Sequence, residues 1–526
     1  MASASPKKNN ARRTAEQLVK ELRSRLQEIS YLSGAAAVLN WDQATYMPIG
    51  GAASRSRQYA YVSRLAHERM ISPALGRLLD ALIPYAESLA HDSDDARLIA
   101  VTRRDFEKAR KVPPRHVERV NAVGTASYDA WTRSRPANDF AAMRPYLEQM
   151  VDLSREYANF FAPYAHIADP LIDDVDEGMT YASVRALLAA LRSELVPLVR
   201  AVCEQPVADT ACLHGEFAPE AQIEFGLSIA RDFGYDLDRG RLDRSPHPFC
   251  TKFSRDDVRI TTRVRADELT YALFSTLHEA GHAMYEQGVA EILAGTPLGQ
   301  GTSIGVHESQ SRLWENVVGR SRELWEHYFP KLQRVFPKRL GDVSVQTFYR
   351  AINKVERTLI RTEADELTYN LHIILRFDLE SELLEGTLEV KDLPEAWRAR
   401  YQSDLGVAPP DDRDGCLQDV HWYGSGVGAA FASYTIGNVL GAQFYAAALR
   451  AHAEIPQQMC VGEFGTLHGW LRENLYRQGR KFTPAETVQR ATGEPISVEP
   501  YLDYLRTKYG ELYALSAPGQ GCGRPR

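Results

Sequence analysis

A mainly α-helical fold with a minor β element is predicted for this chain of 526 residues. Three observations carry the prediction. Apolar residues recur at helical spacing through most of the chain, paired prolines cut that pattern into segments, and one stretch alone alternates with the two-residue period of a strand. From Thr14 the pattern turns helical, with Thr14 and Gln17 placed as a capping box and Leu18, Leu22, Leu26 and Ile29 on one stripe. Segments 142–162, 181–203, 266–288, 308–328, 346–386 and 434–451 read the same way, and Pro113-Pro114, Pro136 and Pro409-Pro410 punctuate them. Between Phe249 and Arg265, Val258, Ile260 and Thr262 alternate with Arg259, Thr261 and Arg263, so a small sheet is expected just upstream of segment 266–288. No repeat or low-complexity linker divides the chain. Residues 14–515 therefore read as a single helical domain between a disordered basic tail, 1–13, and a flexible tail, 516–526.

Composition narrows the function by exclusion. A hydrophobic share of 44% with 25% charged residues is that of a soluble globular protein, and a net charge of −7 gives no electrostatic reason to bind nucleic acid. The six cysteines are sparse and form no C-x-x-C pair, which argues against a disulfide framework and a thiolate metal site and fits a reducing cytoplasm. No apolar run approaches the roughly 20 residues of a membrane span. The start, MASASPKKNNARR, lacks an apolar core for secretion; Lys7, Lys8, Arg12 and Arg13 hint at an organelle transit peptide, but the stretch is short and reads as a solvated tail.

The strongest signal is His278-Glu279-Ala280-Gly281-His282, an H-E-x-x-H sequence within a helical run. Residues four apart share one helix face, so the two imidazoles converge on one ion, while Glu279 reaches water on that ion and is placed as general base. Chance supplies such a match roughly 0.02 times in a chain of this composition. A catalytic zinc needs a third protein ligand and one open position. The third histidine of the longer metzincin motif is absent, because Gly288 stands there. Downstream, Gly295, Gly299, Gly301 and Gly305 make a flexible loop into a helix beginning near Glu308. Glu308, Arg312 and Glu315 would share a face, so a carboxylate from a second crossing helix, the gluzincin solution, is available at Glu308, with His307 as the competing ligand.

At these residues the sequence resembles the carboxypeptidase Taq-type (thermostable carboxypeptidase) family of H-E-x-x-H zinc metallocarboxypeptidases, over nearly all of the chain after the tail. The motifs are His247-Pro248-Phe249, Asp257-Val258-Arg259-Ile260-Thr261, the H-E-x-x-H itself, His307 to Arg312, Ile360 to Asp365, and Gly415 to Trp422. The resemblance implies a saddle-like helical fold with a deep central groove, a homodimer, and stepwise removal of C-terminal residues with broad side-chain tolerance. It also implies Glu308 as third ligand and Zn2+ as cofactor, with Co2+ a possible substitute.

Other residues are read beside it. Arg361, Asp365, Tyr369, His372 and Arg376 fall at helical spacings as one polar face, ordinarily a solvated one. Gln418, Asp419, His421 and Trp422 precede a glycine-rich run resembling a mobile loop, and Tyr423 and Tyr434 are alternative donors to a tetrahedral oxyanion, as is His421. Gln418 is assigned to substrate binding with two arginines. An exopeptidase must recognise a free α-carboxylate, for which a guanidinium is matched; Arg361 is the first choice and Arg259 the second, with a salt bridge to Asp257 or a solvated strand position the equal alternative for Arg259. The predicted reaction is hydrolysis of a peptide at its free C-terminus by water activated on zinc. The rivals are an endopeptidase of the same chemistry and a non-catalytic helical scaffold.

Overall fold

The computed structural model describes residues 13–515 apart from Ser425 and Ala429. The expectations for the tails at 1–12 and 516–526 fall outside these residues. The first helix, Ala15–Thr45, is capped as the sequence indicates: Thr14 Oγ1 accepts from the Gln17 amide, and the Gln17 side chain accepts from the Thr14 amide. With Pro73–Glu87 and Asp94–Lys111 it encloses a small apolar core around Leu22, Leu26, Leu79 and Ile99, which Val289, Leu293 and Leu298 complete. A far larger core holds the remaining helices and includes Leu277, Ala280, Trp314, Leu371 and Ile436.

The β element is a three-stranded sheet in the order β1-β3-β2: β1 is Leu242–Arg244, β2 is Cys250–Ser254 and β3 is Asp257–Thr262. β3 is central, parallel to β1 and antiparallel to β2, with Cys250 opposite Ile260 and Thr251 opposite Arg259. Its alternation has the expected cause: Val258 and Ile260 are fully buried, whereas Arg259 points to the other face. The sheet leads into the helix Thr270–Gly288, which carries the H-E-x-x-H sequence and is crossed by Ile304–Arg312. That second helix rests on Phe431–Ala451.

Side chains smaller than methyl set these crossings. A Cβ on Gly281 would stand 2.5 Å from the Gln310 carbonyl oxygen and 2.8 Å from Ser311 Cα, and one on Gly437 would stand 2.6 Å from Glu308 Cγ. The helix bearing Glu308 is thus clamped between two glycine-lined surfaces.

Two long segments differ from expectation. The stretch 308–328 divides into Ile304–Arg312, a wide π-type turn at Leu313–Val318, and Arg322–Val335, which Ser321 caps by accepting from the Leu324 amide. The stretch 346–386 divides into Val345–Ile352 and Tyr369–Glu385, with only a short turn at Arg361–Glu363 between them. Asp365 is the physical reason: its carboxylate accepts from the amides of Glu356, Leu367 and Thr368, holding the chain in a capped loop instead of a continuous helix. Arg361 and Asp365 therefore precede the helix, and the polar face is interior, since His372 and Arg376 are fully buried. None of the described helices is long and apolar enough to cross a membrane.

Candidate active site

The two crossing helices bring His278, His282 and Glu308 together, with ligand atoms all within 4.8 Å of one another. Glu308 Oε2 lies 3.8 Å from His278 Nε2 and 3.4 Å from His282 Nε2. Bonds of roughly 2.0–2.2 Å in a tetrahedron separate ligand atoms by about 3.4 Å, so the spacing suits one small divalent ion. Glu308 is aimed by Arg312, whose Nε donates to Oε1 at 2.7 Å and leaves Oε2 facing the imidazoles. Burial opposes charge on Glu308, yet Arg312 and the histidines hold its carboxyl well below the usual carboxylate range.

Behind the imidazoles the hydrogen bonds fix the tautomers. Glu315, from the wide turn, sits 2.9 Å from His278 Nδ1; a carboxylate only accepts, so Nδ1 carries the proton and Nε2 keeps its lone pair. His282 is held by a longer chain. Glu286 Oε1 lies 2.8 Å from His307 Nε2, and His307 Nδ1 lies 2.6 Å from His282 Nδ1. With Glu286 accepting from Nε2, His307 Nδ1 accepts from the His282 Nδ1 proton, and His282 Nε2 keeps its lone pair toward Glu308. Burial works against charge on Glu286, but Lys252 and His307 keep it ionised. His307, with both nitrogens engaged away from the cluster, does not compete as a ligand.

These groups line a cavity of about 1250 Å³. Glu279, 6% exposed, faces it without a hydrogen-bond partner among the described residues. Burial pushes its carboxyl up to about 7, against the pull of His278 and helped by Glu308 and Glu315. Across the cavity stand His247, His421, Tyr434 and Arg361. His421 Nδ1 donates to Asp419 Oδ1 at 2.7 Å. Asp419 also receives a fork from Arg361, Nε at 2.6 Å and Nη2 at 3.0 Å, and a bond from Arg376. Arg361 Nη1 reaches the Tyr369 hydroxyl at 3.1 Å. Of five guanidinium protons three are thus engaged, leaving one on each Nη. Tyr434 is half-buried, and burial raises its hydroxyl well above the usual phenol range, so it remains a donor.

Three assigned residues stand elsewhere. Arg259 lies outside the cavity: Nε and Nη2 form a fork with Asp257 at 2.8 Å each, and its guanidinium packs against the rings of Trp41 and Phe253, tying the first helix to the sheet. Gln418 is buried, with Oε1 accepting from the Arg361 amide and Arg376 Nη2 and Nε2 donating to the carbonyls of Leu359 and Asp414, which makes it a structural hub. Tyr423 is fully buried and donates to the Cys416 carbonyl, away from the cavity. Sequence reasoning gave no role to Glu286 or Glu315. Glu286 continues the four-residue series His278, His282, Glu286, a signal that was present; Glu315 was placed on the face of Glu308, but the wide turn that aims it was not foreseen. It also passed over Arg263, an exposed cation in the cavity wall with no ion pair among the described residues.

Comparison with known proteins accords with this geometry. Residues 21–509 match the Carboxypeptidase Taq (M32) metallopeptidase family. Thermostable carboxypeptidase 1 of Thermus thermophilus is 41% identical over 498 residues, 92% of this chain and 97% of that protein. Carboxypeptidase 1 of Bacillus subtilis is 36% identical over 497 residues, 94% and 99% respectively. The crystal structure of an M32 carboxypeptidase from Deinococcus radiodurans R1 superposes with a TM-score of 0.92 at 50% identity, covering 95% of this chain and all of that one. The chain belongs to the Carboxypeptidase Taq (M32) metallopeptidase family and is a metallocarboxypeptidase, a hydrolase of peptides.

Proposed function

We propose that this metallocarboxypeptidase holds Zn2+ on His278, His282 and Glu308 and removes C-terminal residues one at a time, with broad tolerance for the side chain. The observation that carries the reading is the convergence of the two Nε2 atoms on Glu308 Oε2, each imidazole fixed by an acceptor on its far nitrogen. A set of two imidazoles and a carboxylate suits zinc, and Co2+ would accept the same donors. When bound, the ion supplies Lewis acidity to a water and to the scissile carbonyl.

The protein's own groups do the rest. Glu279 takes the proton of the attacking water on its carboxylate and returns it to the departing amine nitrogen. Tyr434 donates a hydrogen bond to the carbonyl oxygen as it gains charge, and His421, whose Nδ1 is committed to Asp419, adds a second through Nε2 when both ring nitrogens carry a proton. Asp419 keeps the His421 ring oriented. Arg361 presents its two remaining Nη protons to the terminal carboxylate of the substrate.

We also take residues 14–515 to be one catalytic unit, working as a homodimer in the cytoplasm. The five described cysteines are all free thiols, which suits a reducing compartment. For the dimer, Tyr31, Ile49, Tyr59 and Tyr61 on the first two helices and their connection offer an exposed apolar surface.

The test is mass spectrometry of one peptide in free-acid and C-terminally amidated forms, with and without a chelator. Successive loss of C-terminal residues from the free acid alone, abolished by chelation and restored by zinc, is the expected result. Equal cleavage of the amidated peptide would replace the carboxypeptidase reading with an endopeptidase one.

A further inference from the structure

Arg312 and Arg361 both line the catalytic cavity, and one aromatic side chain touches both. Arg312 serves the metal cluster twice over: Nε donates to Glu308 Oε1 at 2.7 Å, and Nη1 reaches Glu315 Oε2, the acceptor behind His278, at 3.3 Å. Arg361 is the proposed anchor of the terminal carboxylate and donates to Asp419 from Nε and Nη2. Tyr369 completes the hold on each. Its hydroxyl oxygen accepts from Arg361 Nη1 at 3.1 Å, and its ring centroid lies 4.6 Å from Arg312 Cζ.

Tyr369 is itself fixed. It opens the helix Tyr369–Glu385, its amide donates to the Asp365 carbonyl at 2.9 Å, and the Asp365 carboxylate closes the preceding turn on the amides of Leu367 and Thr368. Only 7% of the residue is exposed, yet it stands in the cavity wall. Packing alone would be served by phenylalanine; the hydroxyl adds an acceptor facing a guanidinium. A neutral group at this place also has an electrostatic reason. A phenol oxygen and the face of its ring both carry partial negative charge, so one tyrosine steadies two cations. A carboxylate here would cancel the positive charge that a substrate carboxylate must meet and would accept the same protons.

We propose that Tyr369 is the positioning residue that sets the separation between the carboxylate anchor and the metal cluster, its hydroxyl orienting Arg361 and its ring seating Arg312. The inference rests on the carboxypeptidase reading, in which Arg361 is that anchor. In a substrate cut one residue from its end, the terminal carboxylate and the scissile carbonyl are one residue apart, so the groups that meet them need a matching and constant spacing. Misplacement by about 1 Å costs on the order of 100-fold in rate. Asp419 steadies Arg361 and Glu308 steadies Arg312 separately; Tyr369 joins the two arginines.

The experiment uses the zinc-loaded wild type, Tyr369→Phe, Tyr369→Leu, Arg361→Ala and the double variant Arg361→Ala with Tyr369→Phe. Calorimetric titration with N-acetyl-L-alanine and its amide reads the preference for a carboxylate, chelator competition reads zinc affinity, and a free-acid peptide gives kcat and KM. In Tyr369→Phe the acid-over-amide preference should fall about three- to tenfold, the range of one hydrogen bond, with the loss on KM and zinc affinity unchanged. In Tyr369→Leu, which also lacks the ring, zinc affinity should fall about fivefold as well. On the Arg361→Ala background, Tyr369→Phe should change the preference no further. An unchanged preference in Tyr369→Phe, a further fall in the double variant, or equal zinc affinity in the Phe and Leu variants would each overturn the proposal. A lower melting temperature without these changes would overturn it too, as a structural role only. A preference that depends on the Tyr369 hydroxyl, in a protein that releases no C-terminal residue, would keep the proposal and sink the carboxypeptidase reading. Equal binding of acid and amide by a wild type that does release such residues would keep that reading and remove the proposal.

Discussion

His307 stands directly behind His282, their Nδ1 atoms 2.6 Å apart, and Glu286 holds the far side of the His307 ring. The pair makes His307 the residue that selects the tautomer of His282, one of the proposed ligands. Replacing it with phenylalanine removes the acceptor while keeping a ring. Metal affinity, measured by chelator competition, should fall about 10- to 100-fold, the usual cost of losing such an outer partner. An unchanged affinity would mean that His282 is oriented by packing alone.

Glu279→Gln should retain the metal at wild-type stoichiometry and lose about two to four orders of magnitude in kcat, because the amide keeps the shape and cannot accept the water proton. Elemental analysis beside a peptide assay reads both quantities. Substantial turnover in that variant would move the general base elsewhere in the cavity.

Local signals were legible in the sequence, and long-range ones were not. The capping box at Thr14 and the alternation at Val258 and Ile260 depend on neighbouring residues, and both stand as expected. The meeting of His278, His282 and Glu308 was readable because the two histidines lie one helical turn apart and Glu308 lies in a short motif. The helix expected over 346–386 failed because periodicity records which side chains are polar, not that Asp365 would turn its carboxylate onto three backbone amides. Periodicity alone would place Arg376 on a solvated face for a similar reason: a buried guanidinium becomes tolerable through Asp419 and Gln418, some forty residues away in sequence. Arg259 stood open between the substrate and Asp257, two residues before it, and it is the local pair that forms.

The glycine in the metal motif has a steric duty. In Gly281→Ala the new Cβ would stand 2.5 Å from the Gln310 carbonyl oxygen, and because the obstacles are backbone atoms the helix Ile304–Arg312 must move as a body. Overpacking of this kind costs about 1–3 kcal/mol. The shift carries Glu308, so thermal stability and metal affinity should fall together. A variant that melts lower yet binds metal as tightly as the wild type would show that the strain is absorbed away from Glu308.

The last prediction concerns pH and a histidine outside the catalytic cavity. His468 packs against Gly234, where a Cβ would stand 2.3 Å from its Nδ1, and against the ring of Tyr476, with centroids 6.0 Å apart. Burial, with Arg472 adding to it, pushes His468 down to about 4 from an ordinary 6.5. The folded state therefore resists protonation and the unfolded chain does not. The stabilisation this gives is fully present above pH 6.5 and is lost progressively as the pH falls toward 4, as the unfolded state takes up the proton first. A shift of that size corresponds to at most about 3 kcal/mol. Buried His372 contributes with the same sign, so the informative quantity is a difference between proteins. In His468→Gln, which cannot titrate, denaturant-derived stability should decline less steeply than in the wild type between pH 6.5 and 4, while the two slopes agree above pH 7. Parallel curves through the acid range would mean that His468 is protonated as readily in the folded protein as in the unfolded chain.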